Sequence, residues 1–114
     1  MRVGAALIDL RIRGAQSLKA RRGVVQSIKR RVRNRFNVSV AEVDGQDTWQ
    51  RAVLALAATG GEARVVRSEL VKALDFIEGL QLAEVVNSDI ELVELPRDPL
   101  GLQLDDEFDE FDED

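Results

Sequence analysis

The chain has 114 residues, enough for one domain and a tail. It has no cysteine and no histidine. That excludes disulfides, thiolate chemistry, the near-neutral proton switch and the usual zinc ligand. The net charge of −5 hides a sorting of charge along the chain. Residues 1–36 carry eleven bases and one acid, Asp9, whereas residues 105–114 carry eight acids and no base.

Residues 3–13 predict a half-buried strand that ends in strict alternation. Ile8, Leu10 and Ile12 face one way; Leu7, Asp9, Arg11 and Arg13 face the other. Gly14-Ala15-Gln16 is a break, and Ser17 suits the N-cap of a helix. Residues 18–35 carry the helical period. Leu18, Val24, Val25, Ile28 and Val32 share one face, and Lys19, Arg22, Lys29, Arg30 and Arg33 share the other. Arg21 projects onto the apolar side. It must leave past the sheet edge or pair with a carboxylate there.

Residues 36–43 alternate again, with Phe36, Val38 and Val40 set against Asn37, Ser39 and Ala41. Asp44-Gly45-Gln46-Asp47 predicts a tight hairpin into a third strand over residues 48–58. Thr59-Gly60-Gly61 ends that strand. A second helix over 62–80 presents Val66, Leu70, Ala73, Leu74 and Ile77, with Gly79 near its end. A last strand over 82–94 has a predicted irregularity at the polar pair Asn87-Ser88, and Pro96 and Pro99 stop it.

The order strand-helix-strand-strand-helix-strand predicts an α+β, ferredoxin-like βαββαβ sandwich. Its four-stranded antiparallel sheet has the order 4-1-3-2. Right-handed crossovers place both helices on one face and leave the other open. Residues 1–95 form the domain. Residues 96–114 are expected to be an acidic, disordered tail, with too little apolar content to pack.

Three blocks carry a family resemblance. They are Gln16-Ser17-Leu18-Lys19 with Arg21-Arg22, the run from Arg35 to Val43, and Gln46-Asp47-Thr48-Trp49-Gln50-Arg51-Ala52. In this order and spacing the chain resembles the small bacterial YlxP-like family, also called domain of unknown function 503. The resemblance covers about residues 1–94 and implies a ferredoxin-like fold. It implies no established activity. It also implies a gene neighbourhood of transcription and translation factors, including initiation factor two and ribosome-binding factor A.

The basic helix face points to a polyanion as partner, RNA or the ribosome. The candidate contacts are Lys19, Arg22, Lys29, Arg30 and Arg33, with the stripe interrupted at Gln26. On the open sheet face, Arg11 and Arg13 end the first strand beside Trp49 and Arg51, which begin the third. Trp and Arg stack on bases, and Arg also holds phosphate. A lone aromatic is short of an RNA-recognition pattern, however, and Trp49 equally fits the closing of one end of the core. A solvated, merely solubilising helix face is the alternative to RNA contact.

Leu7, Val53, Ala55 and Ala57 would leave an apolar strip on that face, which a homodimer or a folded-back Leu95–Leu104 segment would cover. Glu42, Asp44 and Asp47 cluster around the hairpin and raise the question of a hard cation or acid-base chemistry. Asp44-Gly45 is also what a turn requires. Gly60-Gly61 lacks the spacing of a phosphate loop. The expectation is therefore a cytoplasmic, non-enzymatic protein with no metal, no cofactor and no membrane span.

Overall fold

Alternation along the first strand sets the layers. The computed structural model describes residues 1–14, 16–45 and 50–96. The expected acidic tail from residue 97 on, and Trp49 and Asp47, lie outside the described residues. Six elements follow in order: β1 (Arg2–Arg11), α1 (Leu18–Arg35), β2 (Ser39–Asp44), β3 (Arg51–Gly60), α2 (Ala63–Leu80) and β4 (Glu84–Glu94). The fold is α+β, with an open sheet of four antiparallel strands in the order β2-β3-β1-β4. Read from the other edge, that is β4, β1, β3, β2.

Ala6, Ile8 and Leu10 of β1 are buried together with Leu54 and Leu56 of β3. Val25, Ile28 and Val32 of α1 pack on them, as do Val66, Leu70, Ala73 and Ile77 of α2. Both helices therefore cover the even-numbered face of β1. Each fully buried Leu, Ile or Val here contributes about 1.5–3 kcal/mol against exposure. Gly4 sits on this face because α2 approaches it closely. A Cβ there would lie 2.7 Å from both Leu70 and Val66 side-chain carbons.

α1 spans the residues its periodicity predicts. Ser17 caps it, its Oγ accepting from the Ala20 N–H at 3.0 Å. Arg33 and Arg35 in the last turn complement the helix dipole. The end of α1 is latched to α2. Phe36 meets Phe76 edge-on at 5.4 Å between centroids. The Arg35 guanidinium carbon lies 5.2 Å from the Phe76 ring centre. The Asn37 N–H donates to Glu69.

Several boundaries differ from the sequence expectation. β2 starts at Ser39 rather than Phe36, because Phe36 and Val38 pack at the margin of the core without strand pairing. β3 starts at Arg51 among the described residues. α2 does end at Leu80 as expected, but its cap is Gln81 in the left-handed conformation (φ 55°), and Gly79 stays helical. The irregularity in β4 is one residue earlier than expected. Asn87 pairs with Asp9 and Val85 with Leu10, which leaves Val86 as the extra residue. A second bulge, unforeseen, falls at Val43 between Glu42 and Asp44.

Candidate nucleic-acid interface

Helical spacing gathers Lys19, Arg22, Lys29, Arg30 and Arg33 on the outer side of α1. This helix contains eight bases and no acid. From Lys19 to Arg33 the stripe runs about 21 Å along the axis. Lys19, Arg22, Arg30 and Arg33 are exposed, and Lys29 is half-buried. Among the described residues, none of the five forms an ion pair. Arg33 donates to the backbone oxygen of Val40 at 2.7 Å, which ties the end of the stripe to β2. Arg31, beside the stripe, donates to Ser27 Oγ.

The arginines on the sheet do not extend this surface. Arg11 and Arg51 are directly opposite each other across β1 and β3. Their odd-numbered register puts them on the open face, on the other side of the sheet from α1. The candidate cations therefore form two separate groups, one on α1 and one on the open sheet face. Two members of the second group are also neutralised within the chain. Arg13 donates twice to Glu84, at 3.0 and 2.5 Å. Arg51 pairs with Asp9 at 3.3 Å and approaches Asp44 at 3.8 Å. Arg11 is exposed and has no ion pair among the described residues. Trp49, the remaining candidate, lies outside the described residues.

The buried arginine does what its position on the apolar face demands. Arg21 is 1% exposed. Its Nη2 donates to the Glu42 carboxylate and to the Gly45 carbonyl, and its Nε donates to the Arg51 carbonyl at 3.0 Å. A charge so buried persists only when paired and hydrogen-bonded. Gly45 completes the arrangement with φ 86°, and its N–H donates to Asp44 Oδ1 at 2.8 Å.

The bulge at Val43 also separates Glu42 from Asp44, while Asp47, the third carboxylate of that cluster, lies outside the described residues. Glu42 pairs opposite Leu54 and Asp44 opposite Val53, so the two acids face opposite sides of the sheet. Glu42 serves Arg21 and Asp44 approaches Arg51. Among the described residues no group of three metal-ligating side chains converges. The open face does carry an apolar strip, with Leu7 50% exposed at its centre. Ala41, Ala55 and Leu7 lie in one row across β2, β3 and β1. Val53, expected in that strip, is only 9% exposed. Among the described residues no helix is long and apolar enough to cross a membrane.

Over 76 residues the chain is 41% identical to "Uncharacterized protein YlxP" of Bacillus subtilis (strain 168), covering 67% of this chain and 83% of that protein. Among solved structures it is similar to the REP associates tyrosine transposase bound to a REP hairpin. The TM-score there is 0.41 and the identity 12%, covering 82% of this chain and 57% of the other. A likeness this distant says nothing of function. The model of the family described as "Protein of unknown function (DUF503)" matches residues 3–90, and this chain belongs to that family.

Proposed function

We propose that this protein is a non-enzymatic, cytoplasmic RNA-binding factor, acting on free or ribosomal RNA through the outer face of α1. The observation that carries the reading is the absence of any acid in α1, together with the absence of ion pairs at Lys19, Arg22, Lys29 and Arg30 among the described residues. A helix face with uncompensated cations spaced over about 21 Å matches a run of phosphates. RNA is favoured over DNA by the translation-linked gene neighbourhood that the family resemblance implies. The sheet order, with both helices on one face, supports a ferredoxin-like assignment of the fold. The test is binding of mixed structured RNA at two salt concentrations. Binding that does not weaken with salt, or no binding at all, overturns the reading.

A second reading rests on Leu7. A half-exposed leucine at the centre of an alanine-lined sheet face favours a homodimer through that face. Sedimentation separates the two readings, because the RNA reading requires no self-association.

A further inference from the structure

We propose that residues 105–114 act as an internal ligand of the outer face of α1 and compete there with RNA. The competition rests on the RNA reading above; the contact itself does not.

Charge complementarity is the first support. Residues 105–114 hold eight acids and no base. Among the described cations outside α1, Arg2, Arg13, Arg51 and Arg64 each have a carboxylate partner, and Arg11 stands alone on the opposite side of the sheet. α2 intersperses its bases with Glu69, Asp75 and Glu78. α1 is the element where cations accumulate without acids. An acidic segment released near the domain therefore finds its deepest potential well on that helix.

Reach is the second support. The Leu95 N–H donates to the Met1 carbonyl at 2.9 Å, so the chain leaves the sheet at the end where β1 begins. α1 returns to this same end, because β2, which follows it, starts at Ser39 opposite Ala57. The outer strands of four lie about 14 Å apart. Ten extended residues from Leu95 reach at most about 33 Å. Asp105 can therefore arrive at Arg30 and Arg33, and the acids beyond it can run the length of the stripe. Charges separated by more than about 8 Å are screened at physiological salt, so the contact must be close and must dissolve in high salt. A tether this short gives an effective concentration in the millimolar range. RNA must displace the tail, and its apparent affinity falls by about tenfold.

A spin label tests this on the full chain. The chain has no cysteine, so an Asp114→Cys variant carries one nitroxide at a known place. The expected result is broadening of the backbone amide signals on the outer face of α1 at low salt. That broadening disappears at about 0.5 M salt, where the screening length is only a few ångströms. It also disappears when the remaining acids of 105–114 are changed to Asn and Gln. No broadening on α1 at low salt overturns the proposal. RNA titration runs in parallel, and the neutral-tail chain is expected to bind about tenfold more tightly than the native one. Equal RNA affinities for the two chains overturn the competition. Broadening on α1 with no RNA bound by either chain upholds the contact and removes the RNA reading instead.

Discussion

The side chain of Arg21 donates to the backbone carbonyl of Arg51 at 3.0 Å, while the side chain of Arg51 reaches Asp9 on the other face of the sheet. The two arginines hold the β2–β3 hairpin from opposite sides. Arg21 works from the helix layer and also takes Glu42 and the Gly45 carbonyl. Arg51 works from the open face and also approaches Asp44. The bulge at Val43 makes this possible, since it sends Glu42 and Asp44 to different faces.

Removing the buried member should be severe. Arg21→Ala leaves the Gly45 and Arg51 carbonyls without that donor and Glu42 without its buried cation. The expected loss is about 3–5 kcal/mol of folding stability. Arg21→Lys should recover only part, because an ammonium cannot reproduce the planar fork that serves three acceptors. Urea unfolding with unchanged m-value measures both.

Two glycines should respond in opposite directions. Gly45→Ala places a Cβ 2.9 Å from the Arg51 carbonyl oxygen at a positive φ. It should destabilise by about 1–3 kcal/mol. Gly23 lies within α1 with open space around the Cβ site. Gly23→Ala should therefore stabilise by about 0.5–1 kcal/mol. Thermal unfolding of the pair against the native chain checks the contrast.

The two groups of cations should separate in RNA binding. Five phosphate contacts along α1 give a slope of log affinity against log salt of about −3.5 to −4.5. Arg22→Ala with Arg30→Ala should make that slope shallower by about 1.5–2. Stability should stay within about 1 kcal/mol, because both side chains are exposed and neither has an ion-pair partner among the described residues. Arg11→Ala, on the opposite face, should leave the slope alone. A loss of binding by Arg11→Ala equal to that of the double variant would contradict the assignment to α1.

The homodimer reading makes its own demand on Leu7. Leu7→Asp at the centre of the open face should convert a concentration-dependent dimer into a monomer. Unfolding of the monomer should shift by about 1–2 kcal/mol, since half of the leucine surface is already in water but the new carboxylate faces Asp89 directly opposite on β4. A native chain that sediments as a monomer at high concentration overturns that reading.

Much of this was legible in the residues, and the misses have physical causes. The helical period and Ser17 placed α1 at its observed bounds, and alternation placed Ile8 and Leu10 in the core. Arg21, lying on the apolar face, read as either leaving past the sheet edge or pairing with a carboxylate, and its contact with Glu42 decides for the second. The polar pair Asn87-Ser88 signalled the irregularity in β4 to within one residue, whereas the bulge at Val43 was hidden, because a bulged valine looks like any other strand valine. Without that bulge, Glu42 and Asp44 read as neighbours on one face. Phe36 and Val38 read as strand because side-chain alternation is blind to backbone pairing. The division of the basic residues into two groups was present in the alternation itself. It becomes decisive only when Glu84 and Asp9 are seen to occupy Arg13 and Arg51.

The double grip on the hairpin has an engineering consequence. Its two stems are fixed at Gly45 and Gln50, the latter accepting from the Ile12 N–H at 2.9 Å. Lengthening the connection between them raises the loop-closure cost only logarithmically, about 0.6 kcal/mol per doubling. A foreign peptide or a reporter epitope grafted between those positions should leave the rest of the domain unperturbed.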